Sequence, residues 1–285
     1  MTFTLVHTPP RVPEPIGPEP ASIWLSPEGE VTTTFYRTGS GCLVRTIDCA
    51  DFTIDFADRT VTCAPYPDTA PEMVESTYNN QIVPLLRTWD GDLVLHASGV
   101  AIDGRAVGFF GISRRGKSTL ATALARAGHP CITDDGLILL RAGSGFVAEP
   151  KAGPLRLLPD SEAALIGAQS ASLDRDTKAR ITLTDEIRFQ QEPVGLGSLY
   201  HLVDAGAEHV SIARLDPGSA MDLALKQTFM LDTGDKARMS AHFDTVAFLA
   251  ETVPIFSLDY PRDYGQLDSV MEAIVAHVRE TGEPS

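Results

Sequence analysis

Between residues 23 and 65, apolar and polar positions alternate in short runs: Val31 to Tyr36, Cys42 to Ile47, Phe52 to Phe56 and Thr60 to Cys63. Alternation with period two marks half-buried strands. Turn residues fall between the runs, at Pro27-Glu-Gly29, Gly39-Ser-Gly41 and Ala57-Asp58, so the stretch predicts a small antiparallel sheet. Before it, residues 1–22 carry Pro9, Pro10, Pro13, Pro15, Pro18 and Pro20. That density excludes a helix or a central strand and predicts an extended, partly mobile lead-in. After it comes a linker over residues 65–71, and then the period changes. Val74, Tyr78, Ile82 and Leu85 recur near helical spacing and predict a helix from Glu72 to Thr88, which Pro84 should kink or divide.

A second domain opens near residue 91. Leu93 to Ile102 reads as one strand, and Asp103-Gly104 signals a hairpin into a buried strand at Ala106 to Phe110. Ser118 to Ala127 predicts a helix with Leu120, Leu124 and Ala127 on one face and Gly128 as its stop. The run Pro130 to Thr133 ends in Asp134-Asp135, and Gly136 to Leu140 reads as a further buried strand. Farther on, Asp160 is placed to cap a helix, residues 174–177 read as a loop, and Lys178 to Leu183 as a strand. The tail predicts a helix at 235–250, a strand at 254–258 and a final helix at 266–278. The expected organisation is a lead-in (1–22), a small β-rich domain with a linking helix (23–90) and an α/β domain (91–285).

Composition narrows the class. At 285 residues, with 43% hydrophobic and 21% charged residues, the chain is of globular type. A formal net charge of −15 argues against a general nucleic-acid binder. No apolar run spans a bilayer and no signal pattern opens the chain, so a cytoplasmic protein without a membrane partner is expected. Cys42, Cys49, Cys63 and Cys131 form no C-x-x-C pair and no zinc spacing, which reads as isolated reduced thiols.

One stretch carries chemistry. Gly111-Ile-Ser113-Arg114-Arg115-Gly116-Lys117-Ser118-Thr119 fits G-x-x-x-x-G-K-[ST], whose backbone N–H groups cradle nucleotide phosphates. A strand precedes it and a helix follows, so the helix dipole faces the anion. Gly111, Ser113, Arg114, Arg115, Gly116, Lys117, Ser118 and Thr119 are therefore expected around ATP. Lys117 would neutralise the β/γ-phosphates, and Ser118 would ligate Mg²⁺. A chance match in a glycine-containing turn is the competing explanation, and the flanking elements weigh against it.

The paired aspartates are the second feature. A phosphate-loop enzyme needs a carboxylate at a neighbouring strand end for Mg²⁺, and a kinase benefits from one that accepts the acceptor's proton. Asp134 and Asp135 could divide those tasks, although Asp-Asp-Gly is also ordinary turn chemistry. His96, isolated beside a strand, is by itself more often structural than catalytic. Arg156, Lys178 and Arg180 are further anion candidates, each more simply read as surface charge.

Leu95-His96-Ala-Ser-Gly-Val, Gly111 to Ser118 and Ala127-Gly-His-Pro-Cys-Ile-Thr-Asp134-Asp135 together resemble the catalytic domain of bacterial HPr kinase/phosphorylase in order and spacing. Gln81-Ile-Val-Pro-Leu-Leu, Pro154-Leu-Arg-Leu-Leu-Pro-Asp160 and Val253-Pro-Ile-Phe-Ser-Leu are similar to the HPr-kinase-related group that includes the kinases of lasso-peptide precursors. The resemblance implies an α/β phosphate-loop kinase fold of the HPr kinase/phosphoenolpyruvate carboxykinase-like type. In its terms His96 matches the active-site histidine, Asp134 the acid/base toward a serine, and Asp135 the metal-associated carboxylate. Glu149 is a metal candidate by position only. The implied acceptor is a serine on a peptide or small protein; the oligomeric state stays open, a homo-oligomer included. Two departures stand out. Arg114-Arg115 replace a glycine and a small residue, and could pair with an acceptor's terminal carboxylate. The downstream acidic, glycine-rich signature is absent, which argues against phosphorylase activity. A small-molecule or carboxykinase-like kinase and a non-catalytic ATP-binding module remain as alternatives.

Overall fold

The computed structural model describes the chain except residues 1, 18, 27, 152, 154, 168–178, 182–186, 231–234 and 283–285, and the side chains of residues 156, 166, 179–181 and 282. It forms two compact units. One holds Met1–Trp89 with Met230–Lys236, the other Asp90–Phe229 with Ala237–Ser285.

In the first unit, β1 (Thr4–His7), β2 (Ser22–Leu25), β3 (Val31–Arg37), β4 (Gly41–Thr46), β5 (Ala50–Asp55) and β6 (Thr60–Pro65) build a six-stranded sheet in the order β1-β6-β5-β4-β3-β2. The expected antiparallel meander is present from β2 to β6. The lead-in differs from expectation. Its prolines begin only at Pro9, and the residues ahead of them donate and accept freely enough to form β1, an edge strand parallel to β6. Arg11, just after, reaches the Asp51 carboxylate at 3.7 Å.

Helix α1 (Pro71–Thr77) and helix α2 (Val83–Trp89) replace the single predicted helix. Between them Tyr78–Ile82 forms one wide turn, in which the Val83 N–H bonds the Tyr78 carbonyl five residues back. A proline ring in regular α geometry collides with the carbonyl four residues before it, and the wider turn relieves that collision ahead of Pro84. The helices bury Val74, Ile82, Leu85 and Leu86. Contact with the sheet includes Cys49 Sγ to Thr77 Oγ1 at 3.4 Å and the Phe52–Tyr78 ring pair at 6.3 Å.

The second unit runs β7 (Leu93–Leu95), β8 (Ala97–Ile102), β9 (Arg105–Phe110), α3 (Lys117–Arg126), β10 (Cys131–Thr133), β11 (Leu137–Ala142), β12 (Gly145–Glu149), β13 (Leu155–Leu157), α4 (Pro159–Ile166), β14 (Ala179–Ile181), β15 (Val194–Leu202), β16 (Ser211–Arg214), α5 (Pro217–Leu225), α6 (Lys236–Thr252), β17 (Ile255–Asp259) and α7 (Leu267–Gly282). Nine of these strands share a sheet that branches at β15. On one arm β9, β8 and β10 follow β15; on the other β12, β11 and β7 do. Strand β17 also pairs with β15, in parallel, and carries β16. Helices α3 and α7 cover one face through Leu120, Leu124, Val270 and Ile274, while α5 and α6 cover the other through Ala220, Ala224, Val246 and Leu249. The result is three layers, α/β/α.

Several expectations are corrected here. The predicted strand Leu93–Ile102 is two strands on different arms, parted at His96. Asp160 lies inside the first turn of α4, whose cap is Leu158. Ala127 is exposed at the end of α3 instead of on its buried face. Lys178 and residues 174–177 lie outside the described residues, as do the side chains of Arg156 and Arg180. No helix among the described residues is long and apolar enough to cross a membrane. All four cysteines are buried and free, and burial pushes the Cys63 thiol up to about 11 and Cys131 to about 12.

Asp51 is 2% exposed and holds the first unit's sheet to the lead-in. It accepts from Arg45 Nε and Nη2 at 2.8 and 2.9 Å and from the Tyr66 hydroxyl at 2.8 Å. Burial alone would raise its carboxyl, but the Arg45 and Tyr66 hydrogen bonds outweigh that and hold it below the usual carboxylate range. A depressed carboxyl stabilises the fold above its unfolded value and loses that contribution as pH falls through its folded value. Both tryptophans, Trp24 and Trp89, lie in this unit. Tryptophan fluorescence in urea should therefore show Asp51→Asn destabilised by about 3–5 kcal/mol at pH 7. The gap between wild type and variant should close as pH drops below about 4.

Candidate functional site

The site is assembled by strand register. Strand β8 is antiparallel to both β9 and β10, with Ala97 opposite Phe110 and Gly99 opposite Thr133. The end of β9, the break before β8 and the end of β10 therefore meet at one edge of the sheet. Gly111, His96 and Asp134 follow directly at that edge. Strands in a sheet are about 4.8 Å apart, which puts the ends of β9 and β10 about 10 Å apart. Nucleotide and acceptor groups are held over such strand ends in open α/β sheets.

The loop after β9 is built on left-handed backbone. Gly111 (φ 142°), Arg114 (φ 66°) and Gly116 (φ 87°) all lie at positive φ. At Gly116 a Cβ atom would stand 2.5 Å from the Tyr260 hydroxyl, so only glycine fits. Leu120 donates to Gly116 O at 2.9 Å and closes the first turn of α3, leaving the N–H groups of Lys117, Ser118 and Thr119 ahead of the first intrahelical bond. Lys117 is buried, with Nζ donating to Gly111 O at 2.8 Å and Ile112 O at 3.3 Å. Ser113 and Arg114 are exposed on the loop.

His96 and the aspartates sit where the chain changes arms. Between β7 and β8 it passes from one arm to the other at His96, and between β10 and β11 it passes back through Asp134-Asp135-Gly136. His96 N–H donates to Gln227 O at 2.7 Å, fixing the break. His96 Nδ1 lies 3.0 Å from Asp135 Oδ1, with the two side chains 40% and 21% exposed. Asp134 is buried, and its carbonyl accepts the Ser98 hydroxyl at 2.6 Å. The two carboxylates thus occupy different environments, Asp134 buried and Asp135 beside His96. Glu149 closes β12 opposite Ile138, toward the same end of the strands.

A side chain locks the two crossings together. Gly99 and Gly108 face each other in the β8–β9 pair, and Leu137, the first residue of β11, fills the notch they leave. A Cβ at Gly108 would lie 2.6 Å from Leu199 Cδ2 and 2.9 Å from Leu137 Cδ2; one at Gly99 would lie 3.2 Å from Leu137 Cδ1.

Beside the loop opens a pocket of about 360 Å³. Loop residues from Arg114 to Thr119 form one wall; Leu157, Tyr260 and Leu267 are apolar lining; Asp160, Ser161 and Tyr264 are polar lining. Sequence reasoning missed this flank. The available signal was Tyr260-Pro-Arg-Asp-Tyr264, which follows the strand β17 at the functional edge. Two of the expected phosphate ligands already have partners within the protein. Arg115 forms an ion pair with Asp204, so its charge is already partnered by the protein, and its carbonyl accepts from Arg262 Nη1 at 2.9 Å. That weakens the suggestion that it serves an acceptor's carboxylate. Thr119 Oγ1 lies 3.0 Å from Ser161 Oγ, so its hydroxyl is engaged away from the loop. The pocket touches neither His96 nor the aspartates, which lie beyond the loop on the side of β8 and β10.

No group of three or more His, Cys, Asp or Glu residues suited to a metal occurs among the described residues. Mg²⁺ does not need one, since it keeps waters and takes phosphate oxygens beside one or two protein ligands. The hard oxygen donors of Ser118 and Asp135 fit such a site chemically.

Neither the family models nor the curated proteins compared with the chain show a match. Among solved structures, the chain is similar to the HPr(Ser) kinase/phosphatase from Coxiella burnetii at 12% identity, over 67% of this chain and 99% of that one, with a TM-score of 0.35. Likeness at that level leaves function to be read from the site.

If Leu137 is the knob in a glycine notch, Gly108→Ala and Leu137→Ala should each destabilise the fold, by about 1–3 kcal/mol and about 2–5 kcal/mol. The double variant should lose less than the sum, because the added methyl enters the space the leucine leaves. Urea denaturation followed by circular dichroism measures the coupling, and strict additivity would refute the notch.

Proposed function

We propose that this chain is an Mg-ATP-dependent kinase that passes the γ-phosphoryl group to a serine hydroxyl on a peptide or small protein. A lasso-type precursor peptide is the acceptor that the sequence resemblance favours. The observation that carries the reading is the meeting, at one sheet edge, of a glycine-shaped loop with a buried lysine and a strand end with two differently placed aspartates. The apolar part of the pocket beside the loop, Leu157, Tyr260 and Leu267, supports a nucleotide over a bare phosphate.

In this reading Lys117 and the loop amides hold the β- and γ-phosphates against the N-terminus of α3. Ser118 and Asp135 would hold Mg²⁺, which offsets charge on the transferring phosphoryl group when bound. His96, through its 3.0 Å contact, fixes the orientation of Asp135. Asp134 faces the acceptor and takes its proton as the serine oxygen bonds to the γ-phosphorus. The bond from γ-phosphorus to the bridging oxygen breaks in line, ADP leaves with the electron pair, and a phosphoserine is formed. Positioning and charge neutralisation carry most of the rate in such transfers. Cys63 and Cys131, buried and with thiols pushed up to about 11 and about 12, take no part.

Lys117→Ala should weaken Mg-ATP binding by roughly 2–4 kcal/mol and abolish transfer while the fold persists. Asp134→Asn should bind Mg-ATP as wild type does yet transfer nothing, whereas Asp135→Asn should shift the Mg²⁺ requirement upward. The assay follows ³²P from γ-labelled ATP into a serine-containing precursor peptide, purified HPr and a panel of small alcohols. Label only in a small alcohol would replace the peptide reading. Label in none of them, with intact Mg-ATP binding, would leave a nucleotide-binding module.

A further inference from the structure

Three hydroxyls and a carboxylate line up along the pocket beside the phosphate loop. Thr119 Oγ1 lies 3.0 Å from Ser161 Oγ, which lies 2.9 Å from the Tyr264 hydroxyl; that hydroxyl donates to Asp160 Oδ2 at 3.0 Å. A hydroxyl has one proton and a carboxylate only accepts, so the last bond fixes the direction of all the others. Tyr264 spends its proton on Asp160, Ser161 must spend its own on Tyr264, and Thr119 donates to Ser161. The far end of the row is therefore an oriented acceptor. Asp160 is exposed to the pocket, with Oδ1 and further lone pairs available beyond its bond to Tyr264.

The position of that acceptor narrows its ligand. A nucleotide with its β/γ-phosphates at Lys117 directs its α-phosphate past Ser118 and Thr119 and its sugar just beyond. There the relay begins at Thr119 and ends at Asp160. The buried apolar lining of Leu157, Tyr260 and Leu267 lies in the same pocket and suits a base. Resting on the nucleotide-site reading above, the geometry points to Asp160 as the receptor for the ribose hydroxyls, making this a ribonucleotide-selective site. The shared chemistry is a donor group of the nucleoside, and the two sources of such a donor are the sugar hydroxyls and the exocyclic amine of adenine.

Calorimetric Kd values for ATP, 2′-deoxy-ATP, 3′-deoxy-ATP, inosine triphosphate and inorganic tripolyphosphate, each with Mg²⁺, test this directly on the wild-type chain. ATP should bind about 10-fold or more tightly than at least one of the deoxy forms, the usual scale for a charge-assisted hydrogen bond. Inosine triphosphate should bind as ATP does. In Asp160→Asn the ribose preference should fall below about 2-fold, with tripolyphosphate affinity unchanged. A urea midpoint and circular-dichroism spectrum of Asp160→Asn equal to wild type control for folding. Equal wild-type affinity for ATP and both deoxy forms would overturn the proposal, as would a loss confined to inosine triphosphate. Failure of tripolyphosphate and ATP alike to bind would instead remove the nucleotide-site reading itself.

Discussion

The site depends on one strand paired on both sides. Because β8 is antiparallel to β9 and to β10, those two strands end at the same edge, and the groups that follow them come together. The two chain crossings are joined at the Gly99–Gly108 notch. Without side chains there, Leu137 of the other arm can enter, and the turn bearing Asp134 and Asp135 is pinned against β9, the strand ahead of the glycine-rich loop. Packing thus sets the distance between the loop after β9 and the acidic strand end after β10.

Electrostatics at the loop show a division of labour that charge counting hides. A chain with net charge −15 concentrates Arg114, Arg115 and Lys117 at one turn. Of these, Arg115 is balanced by Asp204, and Arg262 ties the loop to the neighbouring strand end through Arg115 O and Val203 O. The Arg262 guanidinium also stacks 3.9 Å over the Tyr260 ring. These arginines act as ties that hold the loop's shape, while the buried Lys117 turns its ammonium onto the loop carbonyls of Gly111 and Ile112.

Much of this was legible in the sequence. The β3–β6 meander announced itself by alternation, and the hairpin at Asp103-Gly104 by its turn residues, which both lie at positive φ. The strand–turn–helix around residues 111–119 and the strand ending at Asp134-Asp135 were readable because their signals are local. What escaped was non-local. The hub strand β15 contains Gly195, Gly197, Ser198 and His201, so it carries neither clean alternation nor a continuous apolar run, and its strand character comes from pairing on both sides. His96 marks a break because of a bond to Gln227, which no window of sequence around it could reveal. The Asp160–Tyr264 side of the site joins residues from α4 and the segment before α7, and only the fold makes them neighbours.

The hub strand also sets an order of events during folding. Strands β8 and β9 form a tight hairpin and can pair as soon as they exist, on the timescale of local contacts. Yet β9 gains its second neighbour only when Leu196–His201 arrives, after most of the domain has been made. Until then Phe109 and Phe110, which are fully buried in the finished protein, lie on an unpaired edge directly ahead of the phosphate loop. A nascent chain stopped before β15 would carry the whole phosphate-loop motif and still expose a sticky, incomplete edge. Truncation downstream of the recognisable motif should thus produce aggregation before it produces a smaller working domain.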